Sequence, residues 1–468
     1  MRKVSGKKIV YLVFLIIVIY MVVCAIFPPI IAKPKIDYTE LSNDLYKNFS
    51  TSENTERILC IDDNEQALLW RLRLINAAKD EIILSTFNFQ DDDSGRDIMS
   101  ALCNAADRGV NVKVVVDGVN AFLDLTGSKW FKTMSKAPNI EVKVYNPINF
   151  LNLWNANYRM HDKYLIVDNN AYILGGRNTK NLSLGDYSGK KDIDRDVLVY
   201  TENYTENTSI ARVRKYFDKI WNNKCTKPLF NVRRSSEKTR TKIEEHYAQL
   251  AEKYPLIKED IDFYNETIGA NSVTLLVNPV YNKNKEPLLW ESLCLMMEKG
   301  KIIDIHTPYV IFDRNMYDGL KILTDKGCEI NIITNGIESG ANICGCADYL
   351  NQKKNILKTG ANIYEYIGEH SSHTKTVLID DNISMIGSFN FDMRSAYIDT
   401  EMMLVIDSKE LNSYLRNINN NYKRQSKYVK SDGFIAFGEM YEKRDISIFK
   451  KFFYTILRVL IIPFRHIL

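Results

Sequence analysis

A histidine, a lysine and an aspartate occur together twice in this chain at one fixed spacing, each time followed by a glycine and an asparagine. The pattern is H-x-K, four residues, D, six residues, G-[GS]-x-N. Its members are His161, Lys163, Asp168, Gly175 and Asn178 in the first copy and His373, Lys375, Asp380, Gly387 and Asn390 in the second. The copies lie 212 residues apart. Two copies with identical internal spacing are hard to attribute to chance, so the pattern predicts a duplicated functional site.

These residue types suit chemistry on a phosphate group. An imidazole can act as a nucleophile and can carry a proton near neutral pH. Lysine and asparagine can hold phosphate oxygens and offset the charge that builds in the transition state. Two such sets, face to face, would supply a nucleophile, a general acid/base and a cationic cradle. Because H-x-K lacks the further carboxylates or second histidine of a metal site, we predict neither a metal nor a cofactor.

Each motif lies on a predicted strand, turn and returning strand. In the first copy the apolar run 164–167 is β-prone, 168–170 has turn residues and 171–174 leads back. Residues two apart on a strand point to one face, so histidine and lysine should project together. Glycine lets the chain pass close to another group. We therefore predict that Gly176 and its counterpart Ser388 contact the substrate.

Predicted helices and strands alternate on either side of this segment. The first half reads helix 65–78, strand 81–84, helix 95–108, strand 110–116 and strand 140–145. The second half repeats the order as helix 288–297, strand 301–305, helix 315–326, strand 329–334 and strand 362–366. Alternation of this kind indicates an α/β fold. The repeated order supports duplication independently of the motifs.

The doubled motif resembles the signature of the phospholipase D superfamily, and the second copy is most similar to bacterial cardiolipin synthases of the C type. The similarity there runs from His-Ser-Ser-His-Thr-Lys through Gly-Ser-Phe-Asn-Phe-Asp-Met-Arg-Ser-Ala to Thr400-Glu401, and it covers roughly residues 57–468. It implies two similar α/β sandwich halves with one active site between them. It also implies that a phosphodiester is cleaved through a phosphohistidine.

The resemblance assigns roles residue by residue. The catalytic set is His161, Lys163, Asp168, His373, Lys375 and Asp380, although a place in the turn favours a structural role for the two aspartates. We assign His161 as the nucleophile and the other histidine as acid and base. Asn178 and Asn390 would hold phosphate with the lysines. A downstream acid should orient each histidine, and Asp196 and Glu401 are the candidates. Arg394 and Ser395 would shape the pocket, and Arg177 is a weaker candidate.

The chain divides into seven predicted segments. They are a basic cytoplasmic N-terminus (1–8), a transmembrane helix (9–27), a linker (28–56), the first half (57–232), a helical linker (233–272), the second half (273–425) and an amphipathic membrane-associating tail (426–468). Residues 9–27 carry no charge and are about long enough to cross a bilayer core of ~20 residues. The preceding lysines place the N-terminus in the cytoplasm and the catalytic domain outside.

The tail from Ser447 mixes aromatic and aliphatic residues with basic ones. Such a segment is typical of a helix lying in a membrane interface, and the alternative is a C-terminal helix docked on the domain. With the N-terminal segment, the tail favours a protein held at a bacterial inner membrane. With a formal net charge of only +4, the overall charge of the chain gives no reason to predict a nucleic-acid partner.

The resemblance implies a membrane-bound phosphatidyltransferase that makes cardiolipin from phosphatidylglycerol, with phosphatidylethanolamine as an alternative donor. Some relatives of the C type depend on an accessory protein. Three alternatives remain open at the level of sequence. With water as acceptor the same chemistry would give a phospholipase D that forms phosphatidic acid. A membrane-tethered nuclease or phosphodiesterase of the superfamily is the second alternative, and a non-catalytic scaffold is the third.

Overall fold

The computed structural model describes residues 6–26, 56–229 and 236–468. The strands of the first half are β1 (Glu56–Ile61), β2 (Glu81–Thr86), β3 (Asn111–Asp117), β4 (Ile140–Tyr145), β5 (Lys163–Val167), β6 (Ala171–Gly175), β7 (Asp192–Ile193), β8 (Asp196–Thr201), β9 (Thr226–Pro228) and β10 (Ile268–Gly269). Those of the second are β11 (Ser272–Val277), β12 (Ile302–His306), β13 (Val310–Ile311), β14 (Glu329–Asn335), β15 (Asn362–Tyr366), β16 (Ser371–Ser372), β17 (Thr376–Ile379), β18 (Ile383–Gly387), β19 (Phe391–Asp392), β20 (Met402–Asp407), β21 (Ser426–Val429) and β22 (Ile435–Phe437).

Each half builds one mixed sheet of nine strands within the described part of the chain. The orders are β10-β1-β8-β6-β5-β2-β3-β4-β9 and β11-β20-β18-β17-β12-β14-β15-β21-β22. The parallel set β2-β3-β4 corresponds to β12-β14-β15, and each motif strand lies beside it, as β5 or β17. The matched order confirms the predicted α/β fold with two similar halves.

Helices cover the sheets, and most begin at a side chain that caps them. The larger ones span Asn64–Ala77, Asp93–Asp107, Lys129–Met134, Ser209–Trp221, Glu237–Lys253, Leu288–Met297, Arg314–Asp325, Ile343–Lys358 and Lys409–Arg424, and the terminal ones span Gly6–Ile26 and Ile448–Leu460. Shorter helical segments lie at Gly118–Asn120, Ala121–Leu125, Leu153–Asn157, Pro255–Lys258, Phe263–Glu266, Met393–Tyr397 and Ile462–Ile467. Carboxylates of Asp63, Asp92 and Asp313 accept hydrogen bonds from first-turn backbone amides. Such caps satisfy donors that a helix end leaves unpaired.

A shared apolar core joins the two halves. It combines Ile166 and Tyr172 from the first sheet with Leu378 and Leu404 from the second, all fully buried. Each half also has its own core beneath its helices. Because β5 and β17 both contribute to the shared core, burial of apolar surface brings the two H-x-K segments together.

Two predicted boundaries are wrong. Strands β21 and β22 extend the second sheet into the segment assigned to the tail, because β21 pairs with β15 from Ile363↔Val429 to Tyr366↔Ser426. Strand β10, in the predicted helical linker, pairs with β1 of the first sheet. The helix at Glu237–Lys253 lies in that linker as predicted. Most of the predicted 28–56 linker lies outside the described residues.

The N-terminal helix spans Gly6–Ile26 and exposes most of its apolar side chains. Among the residues that the structure describes, no helix is both long enough and apolar enough to cross a membrane. The predicted transmembrane helix 9–27 and its single-pass topology are therefore not supported. The C-terminal helix Ile448–Leu460 docks on the second half through buried Tyr454 and still exposes Phe449 and Phe452. The tail is therefore docked on the domain, which was one predicted alternative, and it also keeps the exposed apolar side chains expected of the other, a helix in a membrane interface.

Candidate active site

Each H-x-K segment runs beside a strand from the other half. Residue 160 forms a parallel bridge with residue 400, and the amide of His161 donates to the Thr400 carbonyl at 3.3 Å. In the second copy β16 pairs in parallel with β7, and the amide of His373 donates to the Ile193 carbonyl at 2.7 Å. The backbone therefore fixes both histidines at the boundary between the halves.

Each histidine also has a carboxylate partner from the opposite half. Nδ1 of His161 lies 2.9 Å from Oε1 of Glu401, and Nδ1 of His373 lies 2.5 Å from Oδ2 of Asp194. Both carboxylates are fully buried. When Nδ1–H donates to a carboxylate, the imidazole is held in one tautomer with Nε2 available for chemistry. For both motif histidines, the histidine and its acid therefore come from different halves.

The prediction that Asp196 orients a histidine is wrong. Its carboxylate lies 2.9 Å from Nη2 of Arg71 and 3.4 Å from Nη1 of Arg177, in a buried ion pair. Strand register explains the difference. Gly175 pairs with Asp196 in the first half, whereas Gly387 pairs with Met403 in the second. The position equivalent to Glu401, two residues earlier, is therefore Asp194.

Gly176 and Ser388 support these acids, and their predicted contact with substrate stays a prediction. A Cβ at position 176 would lie 2.1 Å from Oδ1 of Asp194, so only glycine leaves room for that carboxylate. The Ser388 hydroxyl instead donates to Oε2 of Glu401. The shorter aspartate thus faces a glycine, and the longer glutamate is held by a hydroxyl.

The two lysines reach back toward the histidines of their own motifs. Nζ of Lys163 donates to the carbonyl of His161 at 2.5 Å. Nζ of Lys375 lies 2.7 Å from Nδ1 and 3.0 Å from Nε2 of His373. Burial lowers the pKa of Lys163 to about 7, with nearby Lys375 acting in the same direction. Both buried ammonium groups would gain from an anionic substrate, because it would offset the cost of their burial.

The two histidine–acid pairs differ in charge. Burial, and then the charge of Lys163, lowers the pKa of His161 well below its ordinary value. Burial also raises the pKa of Glu401 from 4.5 to about 7, so this carboxyl is only partly ionised near neutral pH. Burial opposes ionisation of Asp194 too, yet Lys375 and His373 hold its pKa below the usual value. Burial and the charge of Lys375 lower the pKa of His373 as well, but the ionised carboxylate of Asp194 opposes this shift because it favours a protonated imidazole beside it.

Asp168 and Asp380 lie at the far end of the motif strands, and the prediction that they are catalytic is wrong. With ~3.3 Å per strand residue, Asp168 is roughly 20 Å from His161. Its carboxylate accepts from the amides of residues 79, 80 and 81 at 2.8–3.0 Å. Asp380 accepts from the amides of residues 301 and 302 at 2.8 Å. Each aspartate therefore anchors the start of the adjacent antiparallel strand, β2 or β12, and both take left-handed φ values of 48° and 45°.

The asparagines lie beside matched loops that follow β2 and β12. Oδ1 of Asn178 accepts from the amide of Asn88 at 3.3 Å, and Nδ2 of Asn390 donates to the Tyr309 hydroxyl at 3.2 Å. Both asparagines are buried. In the first loop the Phe87 ring meets the His161 ring edge-on at 4.7 Å between centroids. The motif alone did not predict the roles of these loop residues.

Arg394 and Ser395 serve different parts of the site. Ser395 donates to Oε1 of Glu401 at 2.7 Å, which adds a second hydroxyl to that carboxylate. Arg394 pairs with Asp399 at 2.9 Å and donates to the carbonyl of Asn157 at 2.6 Å. It therefore joins the loop before the first motif to the second half. Arg177 contacts the carbonyls of residues 61 and 62 and has a structural role.

The arrangement can support a two-step displacement at phosphorus. Two imidazoles with fixed Nδ1 and two buried ammonium groups supply a nucleophile, an acid/base and charge stabilisation. Across residues 6–26, 56–229 and 236–468 we find no group of three or more His, Cys, Asp or Glu side chains suited to a metal ion. The absence of a metal or cofactor from the reaction stays a prediction.

Comparison with known families identifies related proteins. The family described as "Cardiolipin synthase, PLD-like domain" matches residues 72–221 and 293–422, which is more than half of the chain. Cardiolipin synthase C of Escherichia coli is 29% identical over 396 residues, which cover 75% of this chain and 81% of that protein. An uncharacterized protein of Helicobacter pylori is 28% identical over 419 residues, with 79% and 80% coverage.

Solved structures share the fold at lower sequence identity. The phosphatidylserine synthase of Haemophilus influenzae superposes with a TM-score of 0.61 at 18% identity, covering 91% of this chain and all of that one. The polyphosphate kinase of Porphyromonas gingivalis has a TM-score of 0.50 at 13% identity, covering 87% of this chain and 53% of that one. At these identities the similarity establishes the fold alone.

Proposed function

Because this chain belongs to the family of cardiolipin synthases with PLD-like domains and is a phosphatidyltransferase of the phospholipase D type, we propose that it makes cardiolipin from phosphatidylglycerol. The observation that carries the proposal is the pair of histidines, each bound through Nδ1 to a buried acid of the other half. The two buried lysines beside them would bind the phosphodiester of a membrane lipid.

In the first step Nε2 of His161 attacks the phosphorus of phosphatidylglycerol. The bond from phosphorus to the glycerol oxygen breaks, and His373 donates the proton that this oxygen needs. Glycerol leaves, and the phosphatidyl group stays bound to His161. Lys163 and Lys375 offset the charge on the phosphate oxygens during the displacement.

In the second step a hydroxyl of another phosphatidylglycerol attacks the phosphohistidine. His373, now neutral, accepts the proton of that hydroxyl as the oxygen bonds to phosphorus. The phosphorus–nitrogen bond breaks, cardiolipin leaves, and both histidines return to their starting forms. Two phosphatidylglycerol molecules thus give one cardiolipin and one glycerol.

The charge asymmetry supports this division of roles. A nucleophile must be unprotonated, and the lowered pKa of His161 keeps it neutral. A general acid must carry a proton. Burial and the charge of Lys375 lower the pKa of His373, and the ionised carboxylate of Asp194 opposes that shift and so supports the imidazolium form. The His373 side chain is also 23% exposed, against 9% for His161, which suits proton exchange with the acceptor.

We also propose that the enzyme works at a membrane surface. The N-terminal helix and the C-terminal helix both expose apolar side chains, and a lipid surface would cover them. A bacterial inner membrane with the catalytic domain on its non-cytoplasmic side stays a prediction. Phosphatidylethanolamine as donor and a requirement for an accessory protein also stay predictions.

Lipid analysis tests the proposal. Cells that lack their own cardiolipin synthases would express either this chain or its His373→Ala variant, and their lipids would be measured by mass spectrometry. Cardiolipin with the wild type and none with the variant would support the transferase. Phosphatidic acid without cardiolipin would favour hydrolysis by water. Unchanged lipids with the wild type would contradict both activities in that host.

A further inference from the structure

Two apolar loop tips lie side by side on the surface of the first half. The first tip is Phe122 and Leu123, in the helical turn Ala121–Leu125, and the second is Phe150 and Leu151. Their exposed fractions are 44%, 68%, 66% and 92%. The two phenylalanine rings meet edge-on at 5.8 Å between centroids. Single exposed apolar residues are common, but a contiguous group marks a surface that contacts something else.

The first tip is tied to the catalytic histidine. Nδ2 of Asn120 donates to the Phe87 carbonyl at 2.7 Å, and the ring of that phenylalanine contacts His161. Nδ2 of Asn88 donates to Oδ2 of Asp124 at 3.1 Å. The loop that lines the site thus holds the turn Ala121–Leu125 at both ends. The first tip is therefore joined to the loop that contacts His161.

The second tip is tied to the N-terminal helix. The amide of Leu153 donates to the Tyr20 hydroxyl at 3.2 Å, and Nδ2 of Asn157 donates to the Cys24 carbonyl at 2.7 Å. From Val10 to Val23 that helix exposes nearly all of its apolar side chains. The segment that follows the second tip therefore contacts a helix that also exposes apolar side chains.

We propose that these four side chains insert into the surface of a phospholipid bilayer and hold the entrance of the active site against the lipid headgroups. This inference rests on the proposed function, because a bilayer is then the source of the substrate. Exposed phenylalanine and leucine side chains are stabilised when acyl chains cover them. The contact between the segment 153–157 and the N-terminal helix, which exposes a long row of apolar side chains, favours a membrane over a second copy of this chain.

A kinetic comparison separates docking from chemistry. The full-length chain would be reconstituted in vesicles, with long-chain phosphatidylglycerol in the bilayer or dihexanoyl phosphatidylglycerol as a soluble monomer. Removing two leucines in Leu123→Ser/Leu151→Ser should lower turnover of the bilayer substrate roughly 10- to 30-fold. Turnover of the monomer should stay unchanged. The control Ile322→Ser/Phe434→Ser replaces two apolar residues of the second half that are 52% and 60% exposed. It should leave turnover of both substrates unchanged.

A fluorescence measurement tests contact without relying on activity. Leu151→Trp places an indole at the most exposed tip position, and vesicles of dibrominated phosphatidylcholine quench a tryptophan that enters the acyl region. We expect quenching beyond that of the wild type. Absence of this quenching would overturn the proposal. Equal losses of turnover on both substrates in the double leucine variant would also overturn it. A third contrary result would be self-association of the wild type in detergent that the double leucine variant abolishes. Quenching of the Leu151→Trp variant, together with a wild type that is inactive on both lipids, would uphold docking and overturn the proposed function instead.

Discussion

Replacing Asp194 with asparagine should abolish most of the activity while leaving the protein folded. In the wild type Oδ2 of Asp194 lies 2.5 Å from Nδ1 of His373. An asparagine that turned its amide nitrogen toward Nδ1 would stabilise the opposite tautomer, and its oxygen would carry no charge to stabilise the imidazolium. General acid–base catalysis contributes about 10²- to 10⁴-fold, so we expect kcat to fall by that factor.

Asp196→Asn is the matched comparison, since it changes the same residue type two positions along. That substitution breaks a buried ion pair with Arg71, which costs about 3–5 kcal/mol of stability. It should lower the unfolding temperature yet keep kcat per folded molecule within a few-fold of the wild type. The assay is cardiolipin formation from phosphatidylglycerol vesicles, normalised to the folded fraction from circular dichroism.

Two results would refute this reasoning. Asp194→Asn could retain kcat within about threefold of the wild type, which would mean that the carboxylate does not support His373. Alternatively, folded Asp196→Asn could lose as much activity as Asp194→Asn, which would restore the assignment that the sequence suggested. The alkaline limb of the kcat profile provides a further check, because His373 must be protonated in the first step. Loss of the carboxylate should lower the pKa of His373 and move that limb to lower pH.

Three further predictions follow from the contacts around the site. Gly176→Ala should lower kcat at least 10-fold, because its Cβ would displace Asp194, whereas Gly127→Ala, with open space around it, should not. The raised pKa of Glu401 means that the native state holds a proton that the unfolded chain releases, so this group makes stability fall between about pH 4.5 and 7. Glu401→Gln should make the decrease in the free energy of unfolding between pH 5 and pH 8 smaller by up to about 3 kcal/mol. Urea unfolding at both pH values measures this difference. Asp168→Asn should cost about 1–3 kcal/mol of stability by weakening hydrogen bonds to three amides, with kcat unchanged, and a 100-fold loss of kcat would contradict its structural role.

The motif predicted much of the site because its spacing reflects the geometry of one strand. His161 and Lys163 lie two residues apart, as do His373 and Lys375, and both pairs meet at the boundary between the halves. Apolar periodicity also located strands such as Ile140–Tyr145 and helices such as Leu288–Met297 within a residue. These features depend on local sequence, which is why the sequence alone revealed them.

The acid that orients His373 could not be chosen from the sequence. Asp194 and Asp196 both precede an apolar strand, and Glu401 directly precedes one, which favoured the wrong aspartate. The number of residues between the motif histidine and the downstream acid differs between the halves, because the loop before Asp194 is longer than the one before Glu401. The choice depends on which residue pairs with Gly175 across the sheet, and that register is a tertiary property.

The crossed arrangement of the acids was also beyond sequence. Each motif was expected to find its acid downstream in its own half, yet His161 pairs with Glu401 and His373 with Asp194. Only the packing of one sheet on the other decides this. The tail shows the same limit, because its amphipathic sequence fits both docking and lipid contact.

The covalent intermediate provides the most direct test of the account. The purified enzyme would be mixed with phosphatidylglycerol, quenched with base within milliseconds to seconds because phosphohistidine is acid-labile, and digested, and the peptides would be examined by mass spectrometry. We predict a phosphatidyl adduct on the peptide that contains His161 and none in the His161→Ala variant. An adduct on His373 instead, or efficient cardiolipin formation by the His161→Ala variant, would contradict the mechanism.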